Sequence, residues 1–236
     1  MQAVILAGGK GIRLKPYTEN VPKPMLTIMG YPVLEIIIRQ LQQEGFREVV
    51  IAVNHLKQKI QAYFENGGKW DIKISYSEES EPLGTAGPLK KIKNLHDDFL
   101  VVNGDILTDL HFSDFFHLHK KNRPLCTVAS YAMPFNIDFG VLKIDQNNEL
   151  TDYLEKPRFN YDISMGVYGV NKNILDYIPS GESFDMPHLI NKLTGDNKKV
   201  TAYPHKGHWF DIGSSNDYKQ AENTFKQHKS DFLDYI

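Results

Sequence analysis

The sequence lacks most of the features that mark secreted, membrane-spanning and nucleic-acid-binding proteins. Its 236 residues include one cysteine, Cys126, so no disulfide can form within the chain and a reducing cytosol is the expected compartment. No apolar run is long enough to cross a bilayer, and no charged leader with a cleavage site is visible. A formal net charge of only -2 argues against a general binder of nucleic acid or membrane surfaces. We therefore expect a cytoplasmic globular protein.

Two familiar phosphate-binding motifs are also missing. A P-loop needs Gly, four residues and then Gly-Lys-Ser/Thr, and no such run occurs. The dinucleotide-binding fingerprint needs a third glycine where Leu14 stands, and its loop enters a helix directly. Pro16, Pro22 and Pro24 disfavour such a helix. A nucleotide-dependent oxidoreductase is therefore a weak hypothesis, which tight binding of NAD(P)H would revive.

Zinc-binding patterns are equally scarce. His117 and His119, or His205 and His208, are spaced closely enough to suggest metal ligands. No cysteine pair and no His-Glu-x-x-His run accompanies them, so we expect structural or surface roles for these histidines. Cys126 lies within a predicted strand and is most simply explained by core packing.

What the sequence does contain is a basic, glycine-bearing segment in its first 25 residues. An apolar run over residues 3–6 predicts a buried strand, and three glycines follow it at positions 8, 9 and 11. Arg13, Lys15 and Lys23 come next, and no acidic residue precedes Glu19. Bare N–H groups in a turn beside fixed cations suit a polyphosphate.

The order of the predicted elements indicates an α/β fold. Apolar periodicity predicts helices over residues 32–44 and 56–66, and strands over residues 48–54 and 71–77. Alternation of strand, loop and helix implies a doubly wound, mostly parallel sheet with helices on both faces.

Farther along the chain, strands begin to follow strands. A hairpin over residues 138–154, turning at residues 146–148, comes soon after a strand at 125–131. We therefore expect antiparallel elements added over the crevice, with the best boundary at residues 133–139. Outside this region we predict strands at 99–102 and 199–203, and helices at 112–122, 173–178, 186–193 and 215–227. A further helix should follow the turn at residues 81–89 and run to about residue 95.

The basic loop, read residue by residue, resembles a known family. Its run from Leu6 to Pro16, together with Pro22-Lys23-Pro24-Met25, is similar to the signature of sugar-1-phosphate nucleotidylyltransferases. The resemblance implies a single Rossmann-like domain over residues 1–236, with a nucleotide-binding part at about 1–132 and a sugar-binding part at about 133–236. It implies Mg²⁺-dependent condensation of a nucleoside triphosphate with a sugar 1-phosphate, releasing pyrophosphate. Arg13 and Lys23 would be catalytic, and the nucleotide would contact Leu6, Ala7, Gly8, Gly9 and Gly11.

A second glycine-bearing turn spans residues 81–89. Its glycines can simply allow tight packing, but in a doubly wound sheet both turns would face one crevice. The Glu-Pro-Leu-Gly-Thr-Ala-Gly run resembles the family's nucleobase-binding loop, and its sequence is most similar to that of enzymes that make GDP-mannose. By that resemblance Glu81, Gly84 and Thr85 bind the nucleotide and GTP is favoured, with UTP, dTTP, CTP and ATP left open.

Two aspartates are candidate metal ligands. Asp105 follows a predicted strand, where a carboxylate can hold Mg²⁺ or can serve as a helix cap or turn former. Asp211 lies in Trp-Phe-Asp-Ile-Gly, which matches the family's second metal motif. The resemblance makes Asp105 and Asp211 partners in one Mg²⁺ site.

The sugar phosphate has its own candidate residues. A Glu-Lys pair is usually a solvated surface pair, but in this family a matching Glu-Lys-Pro binds the sugar hydroxyls and phosphate, here through Glu155 and Lys156. The segment around Ser164 and Gly166 resembles the part that holds the sugar, with Gly140 facing it. Relatives often have Asn-Ala-Gly where this chain has Ser-Met-Gly. The Ser-Met-Gly form is similar to that of ADP-glucose-forming relatives, so the identity of the sugar is left open.

A non-catalytic relative that binds nucleotide or sugar phosphate as a regulatory subunit is the main alternative. Pyrophosphate release from a triphosphate, a sugar 1-phosphate and Mg²⁺ would exclude it. The expected partners are those two substrates, with neither nucleic acid nor membrane, and a homo-oligomer is left open because patterning does not report assembly.

Overall fold

A computed structural model describes residues 1–233 of the chain. The last three residues of the predicted sugar-binding part lie outside the described residues. The strands are β1 Gln2–Ala7, β2 Thr27–Ile28, β3 Tyr31–Pro32, β4 Glu48–Val53, β5 Lys73–Glu78, β6 Asp98–Asn103, β7 Ile106–Thr108, β8 Cys126–Asn136, β9 Val141–Ile144, β10 Leu150–Leu154, β11 Arg158–Asn171, β12 Val200–His205 and β13 Trp209–Asp211. The α-helices are α1 Val33–Gln43, α2 Lys57–Phe64, α3 Phe112–Asn122, α4 Met186–Gly195, α5 Ser215–Gln227 and α6 Lys229–Phe232.

Seven of the strands form one mixed sheet in the order β12-β8-β11-β6-β1-β4-β5. The strand β1 pairs in parallel with β4 and β6, β4 pairs in parallel with β5, and β8 pairs in parallel with β12. The strand β11 runs antiparallel to both β6 and β8. The predicted Rossmann-like, mostly parallel sheet with an antiparallel addition is therefore confirmed.

The antiparallel addition extends beyond the prediction. The strand β8 continues to Asn136 and pairs there with the start of β11 at Arg158, and β9 and β10 form the hairpin between them. The predicted strand ended at residue 131, and no strand was predicted over 158–171. The omission is explained by Pro134 and by the polar residues at the end of β8 and the start of β11. Such residues are depleted in strands, and this part of both strands is mostly exposed.

Two helix predictions are wrong in type. The segments Gly87–Lys91 and Lys172–Tyr177 form 3₁₀ helices, and the first stops well before residue 95. Pro88 lies in the first turn of Gly87–Lys91, and Ile92 after it is extended. The other 3₁₀ helices are Ile12–Leu14, Lys23–Met25 and Gly68–Trp70.

The core lies on both faces of the sheet, because alternate residues of β1 point to opposite sides. Ile5 belongs to the buried cluster that includes side chains of α1, α2, α3 and α5, whereas Val4 belongs to the cluster that includes α4 and the 3₁₀ helices Gly87–Lys91 and Lys172–Tyr177. The strand β1 is thus buried on both faces, and its carboxyl end opens directly into the loops that carry the candidate site. Among the described residues, no helix combines the length and apolar character needed to cross a bilayer. Cys126 is fully buried in β8, as core packing predicts, and burial raises the pKa of its thiol to about 12.

His119 of α3 is a buried structural histidine, which agrees with the expectation from sequence. Its Nδ1 lies 2.8 Å from Oγ1 of Thr127, and its Nε2 lies 3.6 Å from Oδ1 of Asp98. Gly169 of β11 makes room for the ring, since a Cβ there would lie 2.7 Å from Cγ of His119. Burial lowers the pKa of His119, and attraction to the Asp98 carboxylate opposes that shift.

We expect His119→Gln to lower the free energy of unfolding by about 1–2 kcal/mol near neutral pH, because a buried hydrogen bond is lost. The difference should shrink on acidification. The imidazole of His119 takes up a proton near its ordinary pKa of 6.5 in the unfolded chain but only at lower pH in the folded chain. As the pH falls below 6.5, the wild type therefore loses stability through this residue, and His119→Gln does not.

Urea denaturation of both proteins between about pH 7.5 and about pH 5 measures this difference. His117→Gln changes an exposed histidine on the same helix and is the matched control. A difference between wild type and His119→Gln that stays constant with pH would contradict the prediction.

Candidate active site

The floor of the candidate site is formed where parallel strands end. Asn54 follows β4 and Asn103 ends β6, on either side of the end of β1. The Nδ2 atom of Asn54 and the Oδ1 atom of Asn103 are buried without a hydrogen-bond partner in the described structure. Buried polar groups are nearly always paired, so two orphaned carboxamide atoms at one strand edge indicate a place for a polar ligand.

The basic loop folds back on itself above this floor. Gly11 has φ of +63°, a conformation that favours glycine. Its carbonyl accepts a 2.7 Å hydrogen bond from Oγ1 of Thr18, and a Cβ at position 11 would lie 3.1 Å from Cβ of Lys23. The close return of the chain at Gly11 therefore sets Lys23 against the first turn of the loop.

Lys23, Asp105 and Asp211 meet at the mouth of the cleft. The Lys23 ammonium is almost buried, donates to Oδ2 of Asp105 and lies 3.5 Å from Oδ1 of Asp211. The two aspartates are distant in the chain, and they come together because β7 pairs with β13 and sets Ile106 opposite Asp211. The N–H of Ile212 also donates to the Asp105 carbonyl at 3.0 Å.

The charges of this cluster interact strongly. Burial raises the pKa of the Asp211 carboxyl group and the Asp105 carboxylate adds to the rise, whereas Lys23 and Arg13 oppose it. Arg13 reaches the same place, since its Nη2 lies 3.6 Å from where a Cβ of Gly213 would be. Two cations and two carboxylates therefore share one small region, where their opposite charges neutralise one another.

The donor set fits a hard divalent cation. Asp105 and Asp211 offer carboxylate oxygens that are partly exposed and reach the same ammonium, and Mg²⁺ binds through one or two carboxylates plus phosphate oxygens. If Mg²⁺ binds here, these two side chains would hold it.

Two cavities adjoin this cluster and meet at Gly9 and Asp105. The first, of about 250 Å³, is lined by Leu6, Gly8, Gly9, Glu79, Pro82, Leu83, Gly84, Thr85, Pro88, Asn103 and Asp105. The second, of about 260 Å³, is lined by Gly9, Lys10, Gly11, Ile12, Arg13, Leu14, Lys23, Asp105 and Gly213. Most of the residues predicted from sequence to bind the nucleotide line the first cavity, and both predicted catalytic cations line the second. Ala7 is buried at the end of β1.

The second glycine turn is pinned to the segment before α4. Thr85 donates from its N–H and from Oγ1 to Oδ1 of Asp185, at 2.9 Å and 3.2 Å, and its Oγ1 accepts from the N–H of Met186 at 2.8 Å. Gly84 has φ of +77°, and a Cβ there would lie 2.7 Å from the Phe184 carbonyl oxygen. The glycine thus permits the contact that holds this wall of the first cavity in place.

The carboxylate in the wall of the first cavity belongs to Glu79. Its Oε2 accepts a 3.0 Å hydrogen bond from the N–H of Leu83, and its Oε1 would lie 3.1 Å from a Cβ at Gly8. Burial raises the pKa of the Glu79 carboxyl group, and the Leu83 N–H opposes the shift. Glu81, the residue predicted from sequence, is exposed and does not line this cavity.

The predicted sugar segment reaches the cleft through Gly166. This residue has φ of +75° and lies where the pairing of β11 with β8 shifts register; a Cβ there would lie 2.5 Å from Nδ2 of Asn103. The carbonyl of Met165 accepts a 2.9 Å hydrogen bond from Nε1 of Trp209, two residues before Asp211. Ser164 is exposed, and its Oγ lies 3.0 Å from the Tyr168 hydroxyl.

The other predicted sugar-phosphate residues lie on or beside the β9–β10 hairpin. Gly140 packs against Tyr153, whose hydroxyl donates a 2.9 Å hydrogen bond to Oε2 of Glu155. Lys156 is exposed with φ of +43°. Within residues 1–233, no hydrogen bond or ion pair joins Glu155 or Lys156 to the Lys23 cluster.

Four residues that the description of the site uses, Asn54, Glu79, Asn103 and Asp185, were not predicted from sequence. Asn103 directly follows the apolar strand predicted at residues 99–102, and that position was its available signal. Asn54 looked like the end of a strand, and its position after a buried apolar run was the available signal. Glu79 sits among several acidic residues and could not be distinguished from them. Asp185 contacts Thr85 across 100 positions of sequence, a pairing that only the fold reveals.

Comparison with known proteins identifies the family of this chain. Residues 2–228 match the nucleotidyl transferase family. The UTP–glucose-1-phosphate uridylyltransferase of Synechocystis is 34% identical over 241 residues, covering 94% of this chain and 62% of that protein. The mannose-1-phosphate guanylyltransferase catalytic subunit beta of Dictyostelium discoideum is 34% identical over 225 residues, covering 92% of this chain and 62% of that protein. The chain thus spans 62% of the length of these curated relatives.

A solved structure with the same fold spans nearly the whole chain. HddC from Yersinia pseudotuberculosis superposes with a TM-score of 0.73 at 26% identity, over 95% of this chain and 99% of that one. A second structure of HddC, complexed with GMP-PN, gives a TM-score of 0.72. The resemblance found in the basic loop therefore extends across the chain, which is similar to sugar-1-phosphate nucleotidylyltransferases over more than nine-tenths of its length. This protein belongs to the nucleotidyl transferase family.

Proposed function

We propose that this protein condenses a nucleoside triphosphate with a sugar 1-phosphate to give a nucleoside-diphosphate sugar and pyrophosphate. The observation that carries the proposal is the meeting of Lys23, Asp105 and Asp211 where the two cavities join. A phosphate oxygen of the sugar phosphate attacks the α-phosphorus, and the bond to the β-phosphate oxygen breaks. No covalent intermediate is needed, because the attacking oxygen is already ionised at neutral pH.

The main task of such a site is to align two anions and neutralise their charge. In this proposal the second cavity holds the β- and γ-phosphates against Arg13 and Lys23. These two cations bind the leaving pyrophosphate and the negative charge that develops during transfer. Mg²⁺ held by Asp105 and Asp211 would supply further charge neutralisation at the α-phosphate.

The sugar phosphate would enter from the side of the antiparallel addition. Gly166 brings the sugar segment against Asn103 at the cleft, and we assign the sugar to Ser164, Gly166 and Gly140. Glu155 and Lys156 lie on the adjoining hairpin, where Lys156 would hold the attacking phosphate. This division assigns the nucleotide to residues 1–132 and the sugar phosphate to residues 133–236, and we expect both substrates in the cytoplasm.

Within this proposal we favour GTP as the triphosphate. The Glu79 carboxylate lies in the wall of the first cavity, where its Oε2 atom accepts the hydrogen bond from the N–H of Leu83. Guanine presents two adjacent N–H donors, which one carboxylate can accept together, whereas uracil and thymine flank their single N–H with carbonyl oxygens. The likeness to a guanylyltransferase supports this choice, and the likeness to a uridylyltransferase makes UTP the alternative to test.

We expect Glu79→Gln to lower kcat/KM with GTP by a factor of roughly 5 to 150, which corresponds to a loss of about 1–3 kcal/mol of transition-state stabilisation. The amide replaces one acceptor oxygen with a donor, so it no longer matches the two donors of guanine. The loss with UTP should be smaller, which would shift the GTP/UTP preference. Initial rates of pyrophosphate release with each triphosphate measure the shift.

Neighbouring glutamates provide matched controls. Glu78→Gln changes an exposed residue that pairs with Lys57 away from the cavity, and it should leave the preference unaltered. Glu81→Gln tests the residue assigned by resemblance. If Glu81→Gln shifts the preference and Glu79→Gln does not, the assignment to Glu79 is wrong.

The experiment that tests the function itself is a matrix of five nucleoside triphosphates against a panel of sugar 1-phosphates with Mg²⁺, scored for pyrophosphate. Release with at least one pair, and a matching nucleoside-diphosphate sugar by mass spectrometry, is the expected result. Binding of triphosphate without turnover for every pair would favour a regulatory subunit.

A further inference from the structure

A second group of metal-ligating side chains lies outside the proposed active site. His208 precedes β13, His228 joins α5 to α6, and Asp231 lies in α6. Within residues 1–233 this is the one group of three such side chains whose ligand atoms come together, all within 4.8 Å of one another. The Nδ1 atom of His228 lies 3.4 Å from Oδ2 of Asp231, and the rings of His208 and His228 are 4.9 Å apart.

The backbone that carries these side chains is firmly held. The N–H of His208 donates to Oδ1 of Asp109 at 2.7 Å, and its carbonyl accepts from Oγ1 of Thr108 at 2.9 Å. The ring of His208 stacks on Phe232 with centroids 5.7 Å apart, and Phe232 is buried. The three ligands therefore sit on a scaffold that packing and hydrogen bonds have already ordered.

The spacing suits a small tetrahedral ion. Bonds of about 2.0–2.2 Å in tetrahedral geometry place donor atoms roughly 3.3–3.6 Å apart, close to the 3.4 Å between His228 and Asp231. The side chains of both residues are nearly half exposed, so rotation can close the larger gap to His208. A cavity of about 320 Å³ is lined in part by Asp231, and the exposure of His228 and Asp231 gives solvent access to the group.

We propose that His208, His228 and Asp231 bind a divalent transition-metal ion of the zinc class, with water as the fourth ligand. Two imidazole nitrogens and one carboxylate suit Zn²⁺ and its neighbours. Mg²⁺ prefers oxygen ligands only, so this site and the Asp105–Asp211 pair select different ions. The sequence analysis expected a structural or surface role for His208, and this proposal departs from that expectation by grouping His208 with a histidine 20 positions later in the chain.

The metal would join two parts of the chain that otherwise meet through packing. It would tie the junction of α5 and α6 to the segment that leads into β13 and Asp211. Binding to the folded state alone stabilises that state, so the full chain should unfold at a higher temperature with zinc than without it.

The test uses the full chain, stripped of metal with a chelator and then titrated with Zn²⁺ in an excess of Mg²⁺. We expect one zinc ion per chain by isothermal titration calorimetry, with a rise in the midpoint of thermal unfolding. Co²⁺ in place of Zn²⁺ should give the visible absorption of a tetrahedral ion, and the only cysteine, Cys126, is buried away from it. No substrate is present, so the result is independent of the proposed function.

Three variants distinguish the site from adventitious binding. His228→Ala and Asp231→Asn change exposed side chains, and each should weaken zinc binding at least about tenfold and reduce the thermal shift at a given zinc concentration. His117→Ala removes an exposed histidine elsewhere and should bind zinc as the wild type does. Absence of zinc binding by the wild type, or equal affinity in His228→Ala and His117→Ala, would overturn the proposal.

Discussion

Asp105→Asn is expected to lower Mg²⁺-dependent pyrophosphate release at least about 10³-fold, equivalent to about 4 kcal/mol of transition-state stabilisation. The amide removes one of the two charges that would hold Mg²⁺, while its oxygen can still accept a hydrogen bond from Lys23. The fold should therefore persist. The measurement is the initial rate over a series of Mg²⁺ concentrations, with circular dichroism to check folding.

The Mg²⁺ dependence distinguishes a metal ligand from a residue that only supports the loop. For Asp105→Asn the remaining activity should need far more Mg²⁺ to reach its maximum. Asp114→Asn, an exposed aspartate of α3, serves as the control and should behave as the wild type. If Asp105→Asn keeps the wild-type rate and Mg²⁺ dependence, the assignment of the metal site is wrong.

Lys23→Met is expected to lower kcat by about 10²–10³-fold, or about 2.7–4 kcal/mol, by analogy with the loss of one oxyanion-hole donor. Methionine is similar in length to lysine but has no charge for the leaving pyrophosphate. It should leave Mg²⁺ binding intact or stronger, because the two carboxylates lose a competing cation. Opposite effects of Lys23→Met and Asp105→Asn on Mg²⁺ affinity would separate the roles of the two residues.

The pH profile provides a second measurement for Lys23. Its charge opposes the rise that burial and Asp105 produce in the pKa of Asp211. Removing that charge should raise the pKa further, so the acidic limb of the activity profile should move to higher pH. Lys198→Met changes an exposed lysine far along the chain and is the control. Wild-type turnover in Lys23→Met, or an acidic limb that does not move, would contradict the prediction.

The strands most readily predicted from sequence are those that are buried on both faces of the sheet. Runs such as residues 3–6 and 99–102 are apolar throughout because their strands are covered on both faces, and such runs stand out in a sequence. The strand β11 was missed because only its second half is buried, while its first half is mostly exposed and rich in polar and aromatic residues. Its antiparallel insertion between β6 and β8 depends on pairing partners that no local pattern specifies.

The candidate site was predictable to the extent that it depends on residue type. Cations beside glycines and acids after strands are visible in a sequence, and the structure does bring Lys23, Asp105 and Asp211 together. Their catalytic and metal-binding roles stay predictions. Contacts that arise only in three dimensions, such as Thr85 with Asp185 and His208 with His228, have no signature in the linear order of residues.

The pairing of β7 with β13 has a consequence for protein synthesis. Asp105 and Asp211 are 106 positions apart, and a ribosome that adds about 5–20 residues per second makes the second roughly 5 to 20 s after the first. During that interval a nascent chain carries the basic loop and one acid without the other. A product that stops shortly before Asp211 would consequently have all seven strands of its main sheet but no paired carboxylates, and under the proposed function it should not turn over triphosphates.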